Sequence, residues 1–145
     1  MERFKLPVTV HLILIENNKI LLLRRYNTGY EDGNYSFVAG HIDGGESVIK
    51  AMQREAFEEA GITIEEKDLR IVHVDHRHSP DKEYIDYFLT CTKYTGQIRI
   101  AEPDKCDELS FYPLDNMPQN IIPYVKSGLE NYLKGESFSI LGWKN

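Results

Sequence analysis

Runs of apolar and β-branched residues alternate with turn-rich segments along the chain. Thr9–Ile15 (TVHLILI) and Ile20–Arg25 (ILLLRR) read as two strands, and Asn17-Asn18 between them suits the positive φ of a tight hairpin. A loop rich in turn residues, Asn27–Asn34, follows, then a short strand over Tyr35–Ala39 and a glycine-rich loop over Gly40–Gly45. Ser47–Ala60 has helical spacing, with Gly61 placed as the glycine that ends it. Leu69–His76 and Tyr84–Thr92 read as strands joined by a turn, and Gln97–Ala101 and Glu108–Tyr112 as two shorter ones. Ile121–Leu133 reads as a second helix with Pro123 in its first turn, and Phe138–Leu141 as a final edge strand. Strands, helix, strands, helix predicts an α/β protein, a mixed sheet sandwiched by helices.

Length and composition narrow the picture further. At 145 residues, a single domain over 1–145 is expected. No apolar run is long enough for a transmembrane helix, and MERFKLPVTV lacks the features of a secretory signal, so a cytoplasmic protein without membrane contact is expected. Cys91 and Cys106 form no Cys-x-x-Cys pair and are expected as free thiols. Asp and Glu total 23 against 17 Lys and Arg, a net charge of −6. That balance excludes a broad DNA-binding surface and, taken alone, argues against anionic ligands.

The distribution of the acids changes this inference. On the first helix, Glu55, Glu58 and Glu59 stand at i, i+3 and i+4, which puts three carboxylates on one face. Neighbours at ~5–6 Å repel by roughly 3 kcal/mol per pair at an effective dielectric of ~20. Solvent or protonation relieves such a cluster, and a divalent cation turns it into a binding site. All-oxygen donors suit Mg2+ or Mn2+. By itself, Glu-x-x-Glu-Glu also describes a plain solvated acidic face.

The full spacing is more specific. Gly40, five residues, Glu46, seven residues, then Arg54-Glu55-Ala56-Phe57-Glu58-Glu59-Ala60-Gly61-Ile62 resembles the complete Nudix box. Ala56 is small for its aliphatic position, and Val38-Ala39-Gly40 stands where many members carry Pro-Gly-Gly or Pro-Ala-Gly. The resemblance extends through ENNKILLLRR (16–25) and ELSFYPLDNMP (108–118) and is of the MutT type. It implies the Nudix α/β/α sandwich around a mixed sheet, and Mg2+-dependent hydrolysis of a phosphoanhydride bond in a nucleoside diphosphate derivative.

By resemblance, Glu55, Glu58, Glu59 and the Gly40 carbonyl hold metal, Glu46 and Arg54 hold the cluster in place, and an acid of the cluster or of a later loop is the general base. Glu102 is the later acid of choice, although AEPDKCDEL (101–109) also reads as a plain acidic turn. Arg25 resembles the family's phosphate-contacting arginine, or is a surface charge; Arg24 should face the other way. Tyr30, Tyr35, Phe37 and Tyr112 offer rings to stack on a base, or are core. Asn120 resembles the purine-contacting Asn of MutT-type enzymes and equally suits a helix N-cap. His73 and Asp75 are expected on one strand face with His76 and His78 on the other, as polar rim near a cleft rather than a zinc site.

The leading expectation is a nucleoside triphosphate, oxidised and non-standard ones included, cut to monophosphate and pyrophosphate by a monomer or homodimer. ADP-ribose, dinucleoside polyphosphates and nucleotide sugars are the alternatives. ADP-ribose is placed lower because the chain has no N-terminal extension, and the nearest proline after the box, Pro80, lies 19 residues beyond Gly61. A non-catalytic nucleotide-binding module is the rival class, disfavoured by the intact box.

Overall fold

A computed structural model describes residues 1–144. Nine strands and two α-helices follow in the order β1 (Val8–Leu12), β2 (Ile15–Glu16), β3 (Lys19–Arg25), β4 (Tyr35–Ser36), β5 (Val38–His41), α1 (Val48–Ala60), β6 (Leu69–His78), β7 (Glu83–Cys91), β8 (Cys106–Pro113), α2 (Pro123–Leu133) and β9 (Phe138–Leu141). One sheet runs β5-β1-β7-β6-β9. It is mixed: β1 is parallel to β7 and β9 is parallel to β6, while the other pairs are antiparallel. The second sheet is built on β3, which pairs with β2, β4 and β8.

The sheets are covered on both faces, which explains the unbroken apolar run Ile20–Leu23 of β3. Val10, Leu12, Leu21, Leu23 and Leu89 pack with Ala51, Met52, Ala56 and Ala60 of α1. The alternate residues Ile13, Ile20, Leu22, Phe37 and Phe88 pack with Val125 and Leu129 of α2. The layers are therefore α/β/α, with two sheets in the middle layer.

Local chemistry sets the boundaries. Asn17 and Asn18 both adopt positive φ (50° and 63°) in the β2–β3 turn, as the sequence predicts. The Ser47 hydroxyl accepts the Lys50 N–H and caps α1, and Gly61 ends it in the left-handed conformation at φ 72°.

Four expectations are corrected. The predicted strand Thr9–Ile15 is two strands, β1 and β2, which lie in different sheets with Ile13 and Leu14 between them. The predicted strand Tyr35–Ala39 is two strands: β4 pairs with β3 and β5 pairs with β1, so the chain changes sheets at Phe37. Gly40 and His41 consequently belong to β5, not to a loop. Gln97–Ala101 is not a strand, because Arg99 and Ala101 donate their N–H groups to the Ala60 and Glu59 carbonyls at the end of α1. No helix among the described residues is long and apolar enough to cross a membrane.

Gly128 lets α2 approach the sheet, since a Cβ there would run into the buried Phe88 ring. Gly128→Ala gains about 1 kcal/mol of helix propensity but overpacks a core at a cost of about 1–3 kcal/mol. We expect a net destabilisation of up to about 2 kcal/mol in urea unfolding of the metal-free protein.

Candidate active site

The α1 carboxylate face meets the end of β5. Arg54 organises it with all five of its N–H donors. Its Nε and Nη2 grip Glu46 bidentately at 3.0 and 2.6 Å, and Nη2 also donates to the His41 carbonyl at 3.1 Å. Its Nη1 donates to Glu55 at 2.8 Å and Glu58 at 3.3 Å. This guanidinium, with the Asp43 N–H, pulls Glu46 down to about 2, so Glu46 stays ionised as the anchor of Arg54.

The three box carboxylates differ in setting. Glu58 is half-exposed and Glu55 lies lower in the wall. Burial, only partly offset by Arg54, lifts Glu55 to about 6. The Glu59 carboxylate turns into the cleft and accepts the Ala39 N–H at 2.8 Å. Burial first, then the charges of Glu55 and Glu102, push it up to about 8. At neutral pH without a cation, Glu59 therefore holds a proton.

A cleft of about 330 Å³ opens over this face, lined by Glu55, Glu58, Glu59, Gly40 and Glu102. A second lobe of about 300 Å³ adjoins it and shares Arg25, Glu59, Glu102 and Lys105. The first lobe continues to Thr9, His11, Tyr30, His41 and Tyr124. The second continues to Asn27, Thr28, Leu23 and Cys106.

The structure thus brings Gly40, Glu55, Glu58, Glu59, Glu102 and Arg25 to one cleft, with Glu46 and Arg54 behind it. Arg24 points elsewhere and pairs with Asp107 at 2.8 Å. Arg25 is held by the Tyr30 carbonyl at 2.7 Å and the Thr28 hydroxyl at 3.1 Å. Asp32 knots that same loop through Thr28 and Gly29.

Several expectations about substrate residues are corrected. Phe37 is 1% exposed and packs edge-on to Phe88, so it offers no ring face. Tyr35 is buried, with its hydroxyl on Glu108 and Tyr112, outside the cleft. Asn120 is not the helix cap, which is Ile122, and it is not among the residues lining the cleft: its Nδ2 donates to the Gly33 carbonyl at 2.8 Å and latches the arginine-bearing loop. His73, Asp75, His76 and His78 do not line the cleft either. His73 is buried between the Glu136 carbonyl and Ser139, and His76 and His78 flank Trp143. Cys106 is buried and, like the partly exposed Cys91, free, as expected.

Lys105, His41, Tyr124, Thr9 and His11 are cleft residues that the motif did not mark. For Thr9 and His11 a signal existed: two polar residues at period two inside an otherwise apolar strand.

The NUDIX domain family model matches residues 5–131. The chain belongs to the Nudix hydrolases. It is accordingly a hydrolase of phosphoanhydrides. An ADP-ribose pyrophosphatase of Methanocaldococcus jannaschii is 28% identical over 138 residues, 95% of this chain and 75% of that protein. An NAD-capped RNA hydrolase of Haemophilus influenzae is 32% identical over 111 residues, 74% of this chain but only 38% of that longer protein. Among solved structures, the MutT Nudix hydrolase of Burkholderia pseudomallei superposes with a TM-score of 0.80 at 25% identity, over 88% of this chain and 98% of that one. The MutT protein of Methanosarcina mazei shares the fold with a TM-score of 0.76 at 20% identity, over 91% and 97% of the two chains.

Two outcomes follow from this geometry. A carboxyl whose folded pKa is raised favours the fold below its unfolded value, and that contribution is lost as pH rises through the folded value. Without metal, Glu59→Gln should therefore melt above wild type at pH 8.5, with the gap closing near pH 5 and shrinking when Mg2+ is added; differential scanning fluorimetry reads this. A Cβ at Gly40 would strike the carboxylate end of the Glu55 side chain rather than backbone, so the side chain and not the fold must give way. Gly40→Ala should keep its melting temperature within a few degrees while kcat falls roughly tenfold or more, as expected for a misplaced metal-site group.

Proposed function

We propose that this Nudix hydrolase is a Mg2+-dependent pyrophosphohydrolase, cutting a nucleoside triphosphate to the monophosphate and pyrophosphate. The observation that carries the reading is the position of the carboxylate face where two unlike lobes meet. One lobe is polar, with Asn27 and Thr28 beside the Arg25 and Lys105 cations that border both lobes. The other extends from the same charged groups to a far end of aromatic and neutral hydrogen-bonding side chains, Thr9, His11, Tyr30 and Tyr124. A substrate with a charged phosphate end and a nucleoside end matches that asymmetry.

As they stand, no three His, Cys, Asp or Glu side chains among the described residues are arranged around one ion. Arg54 Nη1 bridges Glu55 and Glu58 instead. The donor chemistry nonetheless fits a hard divalent cation. The donors are oxygens only, and crowding with loss of water raises Glu55 and Glu59, which a cation would reverse. Glu55, Glu58, Glu59 and the Gly40 carbonyl would hold Mg2+, which supplies charge cancellation on phosphate oxygens and an acidified water.

The chain's own groups do the rest. Arg54 keeps Glu55 and Glu58 in fixed rotamers. Arg25, braced by its loop, and Lys105 present positive charge to the phosphate end. Glu102 lines both lobes and faces the cluster from the opposite loop, where it is placed to accept a proton from the attacking water.

A second reading, hydrolysis of ADP-ribose to AMP and ribose 5-phosphate, is favoured by the similarity to the Methanocaldococcus jannaschii enzyme, which matches across most of both chains. It puts ribose phosphate, not pyrophosphate, in the cationic lobe.

The test incubates the protein and Mg2+ with canonical and oxidised nucleoside triphosphates, ADP-ribose, dinucleoside polyphosphates, nucleotide sugars and capped RNA, with product analysis. We expect pyrophosphate release from a triphosphate, abolished by chelation and reduced at least about a hundredfold in Glu58→Gln. Ribose 5-phosphate release from ADP-ribose at higher kcat/KM would establish the second reading. No turnover of any member, or turnover untouched by the substitution, would overturn both.

A further inference from the structure

The α2 side of the larger sheet carries a buried polar chain that the carboxylate chemistry does not use. Thr9 and His11 of β1, Asp86 of β7, and Asp75 and Arg77 of β6 are each at least nine-tenths buried. Arg77 lies between the Tyr84 and Tyr124 rings, 4.0 and 3.7 Å from their centroids. It donates to Asp86 through Nε at 2.7 Å and Nη2 at 3.1 Å. These bonds, with the one from Thr9, outweigh burial and hold Asp86 ionised, far below the usual carboxylate range. Asp75 stands directly across the strand pair, where burial and Asp86 push it up, so it carries a proton.

One proton decides the next step. The Thr9 hydroxyl lies 2.6 Å from Asp86 Oδ1, an acceptor only, and must donate to it. Its other short contact, His11 Nε2 at 2.8 Å, must then donate to Thr9. Nε2 therefore bears the hydrogen. Burial lowers the His11 pKa, so the ring is neutral and Nδ1 is a bare lone pair. His11 is 2% exposed and Nδ1 has no hydrogen-bond partner. The ring is not free to turn toward one: it stacks on Phe88 at 4.8 Å and meets Tyr124 edge-on at 5.5 Å. Yet it forms part of the cleft wall, beside Tyr30, His41 and Tyr124, in the same lobe that opens from the carboxylate face.

A buried acceptor is seldom left empty in a folded protein, and one at a cleft wall with its tautomer imposed from behind is suited to a ligand. We propose that His11 Nδ1 accepts a hydrogen bond from an N–H or O–H donor on the nucleoside half of the substrate, a sugar hydroxyl or a base amino group, and so selects the nucleotides that carry it. Thr9, Asp86 and Arg77 are positioning residues that fix the Nε2–H tautomer. The proposal rests on the hydrolase reading and adds the specificity element to it.

The test takes the nucleotide turned over fastest and compares it with its 2′-deoxy and 3′-deoxy forms and with the base analogue lacking the exocyclic amino group. In wild type, one of these deletions should lower kcat/KM roughly ten- to a hundredfold, mainly through KM, and its identity separates sugar from base. His11→Phe keeps the ring packing and removes both nitrogens. In it kcat/KM for the complete nucleotide should drop to that of the deleted analogue, so that the discrimination falls to near one. Equal turnover of all analogues by wild type, or undiminished discrimination in His11→Phe, would overturn the proposal.

A spectroscopic measurement on wild type needs no variant. Long-range 1H–15N correlation of His11 should show the Nε2–H tautomer, with the bare Nδ1 resonance moving upfield on addition of an α,β-methylene nucleoside triphosphate with Ca2+. An Nδ1–H tautomer, or an unmoved Nδ1 in the saturated complex, would also overturn it. Absence of hydrolysis with a shifted Nδ1 would fault the enzymatic reading and leave this one standing.

Discussion

The site depends on one guanidinium. Glu55, Glu58 and Glu59 share a helix face where each pair would repel by a few kcal/mol, and burial of Glu55 and Glu59 adds to the penalty. Arg54 offsets this from inside the box. Its planar fork takes Glu46 on one edge, and its remaining N–H groups reach the His41 carbonyl, Glu55 and Glu58. Lysine, with three donors on a point charge, has no equivalent geometry. The same contacts tie α1 to the end of β5, so the ion network is also what joins helix to sheet at the mouth of the cleft. Glu59 is outside Arg54's reach and stays proton-bearing, which leaves the most deeply set carboxylate as the one a cation would change most.

Much of this was legible in the sequence because the spacing is local. The hairpin at Asn17-Asn18, the limits of α1 and the shared carboxylate face follow from turn chemistry and a 3.6-residue period. The box then indicated the roles of Glu46 and Arg54, which no periodicity suggests. The opposite directions of Arg24 and Arg25 also came from strand alternation alone.

What the sequence hid is long-range. Phe37 and Tyr35 read as stacking rings, but the chain crosses between sheets at Phe37, and both rings are drawn into the α2-side core. Asn120 has the side chain that a base edge or a helix cap requires, yet a carbonyl 87 positions earlier claims it. Gln97–Ala101 has strand composition, but the open carbonyls at the end of α1 take its N–H groups. In each case the residue type was read correctly and its partner lay in a distant segment.

On the proposed reading, the two faces of the sheets divide the labour of binding. On the α1 side the polar groups are charged and clustered where cation and phosphate chemistry belongs. On the α2 side the strands carry a buried Arg77–Asp86 pair whose charges nearly cancel, and the cleft-side end of that chain is the neutral His11 imidazole. Fixed charge near a nucleoside would bind water as readily as substrate, whereas a neutral acceptor with its tautomer imposed discriminates by whether a donor arrives. This division also resolves the net charge of −6, which argued against anionic ligands. Bulk charge acts over a screening length of about 8 Å at physiological salt. Inside the cleft the local count governs instead, and there four carboxylates stand with Arg25 and Lys105.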